Sequence, residues 1–376
     1  NGAVRLRLEN QTYEALECRR DGAYISVKMT LQAGESAILV LCEDMLKTSK
    51  QENNAEVVFT EPKLLSCDRN SLPLDYVQLS YDGVSYMEAM PIPWATEYLL
   101  SKCENREVYL KYRFCISKIP KSLNLETEKM NMQSITLNGQ GICLEDGGIL
   151  DVRFISGDIL PYVKEGDNEL VIRIDYYQRD WVYDVLYRTD GVTETLINCL
   201  TYDTEISSVY LRGEFGVYSQ ETLKQVEDTV YVLDSDISIG EVRPAMMEDM
   251  TANGYPFFAG KVTFAMEAGV DSPRELKLQL QGRYASAKLR WNEYEKDVVL
   301  SEFIRIPEQF VKEQNQIVVT LFSGNRNLLG PHHWAKDPEP KAINPTYFTM
   351  GKSWKDGSSE RYRDAYSLIS FGARLV

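Results

Sequence analysis

The chain has 376 residues, 44% hydrophobic and 26% charged, with 41 Lys and Arg against 56 Asp and Glu and a net charge of −15. That much apolar side chain excludes a disordered tail, and no apolar run approaches the ~18–20 residues that span a bilayer. The negative balance disfavours nucleic acid, whose binders need positive surface to displace counterions, and equally disfavours anionic lipid; a neutral sugar or peptide meets no such penalty.

At ~100–200 residues per domain, two or three domains are expected. Asn1 to Glu9 already alternates like a strand, so the chain reads as cut from a longer protein. Short strands are predicted at 24–29, 31–36 and 37–41, with Gly34 supplying the last turn. A mixed-charge linker at 47–55 precedes strand-like text at 56–59. Val108, Leu110, Tyr112, Phe114 and Ile116 then alternate with Tyr109, Lys111, Arg113, Cys115 and Ser117, the period of a half-buried strand. Further strands are predicted at 122–126, 134–138, 169–175 and 209–218. Residues 176–204 depart from this period. Trp181, Val185, Leu186, Thr189, Leu196 and Leu200 fall at spacings nearer three and four, broken at Asp190-Gly191, which predicts short helices inserted between strands. Helix should stay under ~15%, against ~30–35% in ordinary globular proteins.

An internal repeat organises the rest. Tyr112-Arg113-Phe114, Leu123-Asn124-Leu125, Ile135-Thr136-Leu137-Asn138, Phe154-Ile155 and 162–172 return in the same order. The second set is Val262-Thr263-Phe264, Leu276-Lys277-Leu278, Leu289-Arg290-Trp291-Asn292, Phe303-Ile304 and 310–319. Val163-Lys164-Glu165-Gly166-Asp167-Asn168 and Val311-Lys312-Glu313-Gln314-Asn315 match most sharply: each polar turn reverses the chain before a buried strand, and Asn tolerates the backbone that this needs. Asn138 and Asn292, like Asn168 and Asn315, should therefore occupy equivalent places in two sandwiches.

The seven cysteines are never closer than twelve residues, odd in number and without metal-knuckle spacing. They are expected to be free thiols, pointing to a reducing, cytoplasmic compartment. The two histidines are adjacent, His332 and His333, so a three-His metal site is impossible and any imidazole base must be one of them. Neither a G-x-S-x-G elbow nor a phosphate-binding G-x-x-x-x-G-K-[ST] loop is present. Nothing points to a cofactor or a metal, and no Asp-x-Asp loop assigns a calcium ion.

Leu31-Gln32-Ala33-Gly34-Glu35-Ser36-Ala37-Ile38-Leu39-Val40-Leu41 resembles the end of the small β-domain that follows the catalytic barrel in bacterial glycoside hydrolases. Ile135-Thr136-Leu137-Asn138-Gly139, with 163–172, is similar to the galactose-binding-like jelly rolls of β-galactosidase and α-L-rhamnosidase relatives. Residues 253–264 and Asn327-Leu328-Leu329-Gly330-Pro331-His332-His333-Trp334 resemble the C-terminal region of large gut-bacterial glycosidases. The resemblance implies an all-β chain in three parts. These are a small antiparallel β-domain and linker at 1–75, a jelly-roll sandwich at 76–236 with the helical insertion 176–204, and a second jelly roll at 237–376. A (β/α)₈ barrel needs ~200–250 residues of strand and long helix, which the chain does not hold, so no catalytic residue is carried over. The implied role is ancillary, with the parent's catalytic barrel and carbohydrate as partners. An independent carbohydrate-binding module and a small complete glycosidase are the alternatives.

A glycosidase needs two carboxylates ~5–9.5 Å apart; Glu126, Glu128 and Glu214 come into question, but a solvated face or a structural hydrogen bond is the favoured reading of each. For sugar contact the candidates are Asn325, Arg326, Asn327, His332, His333 and Trp334, which gather amide, guanidinium, imidazole and indole groups beside the Gly330-Pro331 turn. A structural loop that seals a domain interface is the favoured reading of this segment, ligand contact the second and a metal site the third. On extended backbone His332 and Trp334 share one face and His333 takes the other. Burying the indole gains most area, so His333, with Arg326 and Asn327, is expected to face the ligand. Trp181, Tyr183 and Tyr187 are read either as an aromatic patch or as core.

Overall fold

The computed structural model describes residues 2–7, 12–22, 24–31, 36–42, 57–148, 152–220, 222–234, 236–299, 303–330, 332–335, 341–343 and 365–376. Strands make up 50% and helices 11%, in several sheets that are almost wholly antiparallel, as an all-β chain of sandwiches requires. The strand expected at 31–36 falls mostly outside the described residues.

Two compact units are present, and both are discontinuous in sequence. One combines Asn1–Ser66, Val262–Phe322 and Ala373–Val376; the other combines Cys67–Lys261 and Ser323–Gly372. This differs from the expected boundaries at 75 and 236. Strand Ile237–Gly240 pairs with Gly216–Ser219 and runs parallel to the end of Arg106–Ile116, which places it with the first sandwich. Strand Ala365–Ile369 returns to pair with Val230–Asp234.

In the 67–261 unit, one sheet runs Met90–Pro91, Tyr76–Ser80, Arg106–Ile116, Gly166–Tyr176, Met132–Leu137, Gln140–Gly141. The other runs Glu145–Asp146, Ile155–Asp158, Leu123–Thr127, Val209–Gly213, Asn70–Leu74. Their inward residues, among them Leu79, Leu110, Tyr112, Leu125, Ile172 and Leu211, form one core. The predicted strand 209–218 is broken at Glu214, which is exposed. A Cβ on Gly213 would lie 2.0 Å from the Ser122 carbonyl oxygen, so only glycine lets the strands approach there. A further sheet joins Lys224–Glu227, Val230–Asp234, Ala365–Ile369, His332–Ala335 and Lys341–Ile343.

The other unit holds a three-stranded sheet of Thr12–Leu16, Gly2–Arg7 and Ile38–Cys42, a hairpin of Cys18–Asp21 and Tyr24–Val27, and the second sandwich. One sheet of that sandwich runs Val57–Phe59, Lys261–Val270, Gln314–Phe322, Ser286–Trp291, Tyr294–Val298; its partner joins Phe303–Ile306, Leu276–Arg283 and Gly372–Leu375.

The two sandwiches share a strand order, Arg106–Ile116, Gly166–Tyr176, Met132–Leu137 in one and Lys261–Val270, Gln314–Phe322, Ser286–Trp291 in the other, and they share their asparagines. Asn138 and Asn292 both take left-handed backbone, each with φ 51°. Asn138 donates from Nδ2 to the Tyr162 carbonyl and Asn168 Oδ1, both at 2.9 Å; Asn292 donates likewise to the Phe310 carbonyl and Asn315 Oδ1, both at 2.9 Å. Their Oδ1 atoms accept the amides of Glu169 and Gln316. Asn168 and Asn315 then close the preceding turn on the backbone of Lys164 and Lys312. In each sandwich a left-handed turn residue is thus bonded to a buried amide that shapes the next strand's entry.

Helix appears where the period-three text predicts it, at Asp180–Tyr183, a π-helical turn Asp184–Arg188, and Glu194–Asn198. Among the described residues the longest helix lies elsewhere, however, at Ile92–Lys102. Its buried Ile92, Ala95, Leu99 and Leu100 form a helical stripe, and the prolines at 91 and 93 suit its first turn. In the excursion Tyr183 is buried and donates to Asn105 Oδ1 at 2.8 Å, whereas Trp181 is 53% exposed and Tyr187 45%. The aromatics therefore divide between core and surface. Six cysteines are free thiols: Cys18, Cys67, Cys103, Cys115, Cys143 and Cys199. No helix among the described residues is long and apolar enough to cross a membrane.

Candidate functional site

Asp75 is the single residue between strands Asn70–Leu74 and Tyr76–Ser80, which belong to different sheets of one sandwich. The residue is 8% exposed, and a carboxylate buried that far must be paired or hydrogen-bonded. Two neighbouring strands supply the partners. His333 Nε2 lies 3.0 Å from Asp75 Oδ2, and Tyr366 donates its hydroxyl to Oδ1 at 2.7 Å. His333 and Tyr366 stand opposite each other in the ladder, with ring centroids 4.8 Å apart, and Tyr76 meets the imidazole edge-on at 5.7 Å. The Asp75 carbonyl also accepts the Ile92 amide at 3.0 Å, tying the first turn of the 92–102 helix to the same point.

Beside this cluster lies a cavity of about 190 Å³. Asp75, Glu128, Ser207, Ser208, Tyr210 and His333 supply its polar groups. Pro91, Ile92, Pro93, Phe154, Ile206, Leu329 and Gly330 supply the apolar wall. Phe154 stacks on Tyr210 at 5.8 Å, nearly parallel. Residues 207 and 208 are pinned by their carbonyls, which accept the hydroxyls of Tyr112 at 2.9 Å and Thr127 at 3.2 Å. Burial pushes the Tyr210 phenol up to about 12; the charges of Asp75 and Glu128 add to this and a hydrogen bond with Ser208 opposes it. The volume is below the ~300–1,000 Å³ of drug-sized sites, so the cavity suits one small polar molecule with an apolar face.

The predicted contact residues divide. His333 is in the cavity wall, but it is 1% exposed and bonded inward, contrary to the expectation that it faces outward. The buried carboxylate of Asp75 is what turns the His333 side chain inward. The side chains of His332 and Trp334 lie outside the described residues. Asn325, Arg326 and Asn327 are not among the residues that line the cavity. Asn327 spends both amide hydrogens on the carbonyls of Pro256 and Ile369, and its oxygen accepts from the Ile369 amide and Arg326. Arg326 donates to the Ser367 carbonyl at 2.9 Å, and burial lowers its pKa. Asn325 is exposed, and its carbonyl accepts the amides of Leu328 and Leu329. Together they fasten the short helix Arg326–Leu329 to strand Ala365–Ile369. Glu126 is 2% exposed and acts on the buried Arg212, while Glu128, two residues on and past the strand end, reaches the cavity.

Asp75, Ser207, Ser208 and Tyr210 were not singled out in the sequence. The available signal was Leu74-Asp75-Tyr76, an acid interrupting two apolar strands. A second depression of about 430 Å³ lies within the other unit, with Glu61, Lys63, Glu267, Arg290, Ala265 and Val318 among its lining. Among the described residues, no three His, Cys, Asp or Glu side chains gather as round a metal ion.

No protein-family model matches the chain, and no curated protein does. Among solved structures it is similar to the β-D-mannosidase of Dictyoglomus thermophilum (14% identity, TM-score 0.26, covering 70% of this chain and 32% of that one). It is also similar to a glycosyl hydrolase family 2 member from Bacteroides cellulosilyticus (10%, TM-score 0.25, 73% and 36%). A third is the β-glucuronidase of Ruminococcus gnavus (12%, TM-score 0.28, 78% and 46%). The chain spans less than half the length of each, and the overlap at these TM-scores carries no functional argument.

Proposed function

We propose that the chain is an ancillary, non-catalytic region of a glycoside hydrolase. It braces the catalytic barrel of the parent polypeptide and holds one saccharide unit in the Asp75–Tyr210 cavity. The composition of that cavity carries the reading: hydroxyls, carboxylates and an imidazole converge over the Phe154 ring and the Ile92 and Ile206 side chains. A sugar has the matching character, with hydroxyls round its edge and an apolar C–H face. The Asn-Gly and Lys-Glu-Gly-Asp-Asn motifs and their duplication support the glycosidase context. At ~0.3 kcal/mol per heavy atom, a hexose of about twelve heavy atoms gains ~4 kcal/mol, a Kd of about 1 mM.

The test is titration of the chain with a panel of neutral and charged monosaccharides, followed by NMR. Millimolar binding that weakens at least threefold in Tyr210→Phe supports the reading. Tyr210→Phe keeps the ring stacked on Phe154 and removes only the hydroxyl. No binding by any member of the panel overturns it. Asp75 and Glu128 are two carboxylates on one cavity, which is what favours the hydrolase alternative. Turnover of aryl glycosides that is lost in Glu128→Gln would install that reading instead.

A further inference from the structure

Resting on the saccharide reading, we infer that the cavity selects a sugar bearing a free ammonium group over its neutral counterpart and excludes uronates. Among the described residues Asp75 and Glu128 line it, and neither Lys nor Arg does. The one basic group in the wall among the described residues, His333, lies against Asp75. If the imidazole is neutral the wall carries −2; if it is protonated the wall carries −1. Either way an arriving cation is favoured and an arriving carboxylate is opposed.

The two acids differ in what they have left to give. Both Asp75 oxygens are already engaged, by His333 and by Tyr366. Glu128 makes no hydrogen bond or ion pair among the described residues, and it is half-buried at the cavity edge. It is the carboxylate available to an incoming N⁺–H donor, and such charge-assisted bonds are roughly twice as strong as neutral ones. Both acids also act on the Tyr210 phenol from different elements, so their fields converge on one point of the cavity. The side chains of Ile92, Phe154 and Ile206 form a low-dielectric wall, which strengthens that field. The chain's net charge of −15 biases encounter in the same direction.

Glucosamine and glucose test this directly, because they differ by an amine in place of one hydroxyl. The full chain is titrated with D-glucosamine, D-glucose and D-glucuronate at pH 6, below the ~7.7–8.0 range of α-amino groups. Glucosamine should bind at least fivefold tighter than glucose, and glucuronate should bind at least fivefold more weakly than glucose. The glucosamine preference should fall at least twofold when salt is raised from 0.05 to 0.5 M. In Glu128→Gln the affinity ratio of glucosamine to glucose should drop to within twofold of one, while Glu128→Asp should hold it above three. If wild-type chain binds glucosamine and glucose alike, or prefers glucuronate, the charge selection is refuted and the saccharide reading stands. An amine preference that survives in Glu128→Gln refutes the role given to Glu128. If none of the three sugars binds, the inference is refuted, and the wider monosaccharide panel decides the saccharide reading.

Discussion

Replacing Asn168 by Ala removes the amide that fixes one turn of the duplicated asparagine pair. Asn168 is fully buried, donates to the carbonyls of Lys164 at 2.8 Å and Gly166 at 3.0 Å, and accepts from the Lys164 amide and Asn138 Nδ2, both at 2.9 Å. Four groups lose a partner. Each buried group left unsatisfied costs ~1–3 kcal/mol, but Lys164 and Gly166 lie at the surface, where water can replace part of the loss. A net cost of ~2–4 kcal/mol follows. At ~2–4 °C per kcal/mol for a unit of this size, Tm should fall by ~4–15 °C. Asn315→Ala should cost about 1 kcal/mol more, because Asn315 Oδ1 also accepts the indole Nε1 of the wholly buried Trp291 at 2.9 Å. Thermal melts followed by circular dichroism measure both. If each variant melts within about 1 °C of the parent, the asparagines do not shape these turns and the energetic reading of the repeat is wrong.

The Asp82 carboxyl is held down at about 2 by the Ser85 and Val84 amides and the Ser80 hydroxyl. A depressed carboxyl stabilises above its unfolded value of ~3.9 and loses that contribution as pH falls towards the folded one. Amide-exchange protection of Val84 and Ser85 should therefore hold at pH 5 and drop between pH 4 and 2; protection unchanged at pH 2 would contradict it. Burial, with the Asp68 charge adding to it, pushes the Cys67 thiol up to about 12. At pH 8 iodoacetamide should alkylate the exposed Cys143 and Cys199 at least ~100-fold faster than Cys67, read by peptide mass spectrometry; equal rates would refute the burial. In the helical excursion, Tyr183→Ala should cost ~3–5 kcal/mol and Trp181→Ala under ~0.5 kcal/mol in urea titrations, since only the first ring is buried.

The repeat was legible because its signal is local. Asn-Gly or Asn-Glu after an alternating strand calls for left-handed backbone, and Lys-Glu-x-x-Asn or Lys-Glu-x-Asn before the next calls for a side chain that closes the turn. The structure satisfies both demands within a few residues of each asparagine. The helix Ile92–Lys102 was not legible in the same way. Its stripe of Ile92, Ala95, Leu99 and Leu100 is short, and Pro91 and Pro93 read as chain breakers unless they are placed in a first turn, where proline costs nothing. The unit boundaries were hidden for a different reason. Val230 pairs with Ile369, well over a hundred residues away. Alternation says that Ala365–Ile369 has a buried face but not which strand receives it.

The same limit governs the site. Period-two geometry separates His333 from its neighbours on either side, but area alone cannot say which face turns inward. The deciding group is Asp75, 258 residues upstream. A buried carboxylate without partners is far costlier than an apolar side chain left in water, so the face carrying its hydrogen-bond partner goes inside. Arg326 and Asn327 follow the same logic: polar groups beside strand carbonyls bond to those carbonyls before any ligand arrives. What remains for a ligand are the groups whose backbone is pinned but whose side chains are not consumed, Ser207 and Glu128 among them. Asp75 serves both ends. It joins two strands of the sandwich, is bonded by side chains from two more, and presents its charge to the cavity. The residues that hold the frame and those that colour the cavity therefore meet at one carboxylate, and a position with that double duty is recognisable only once the strands are in place.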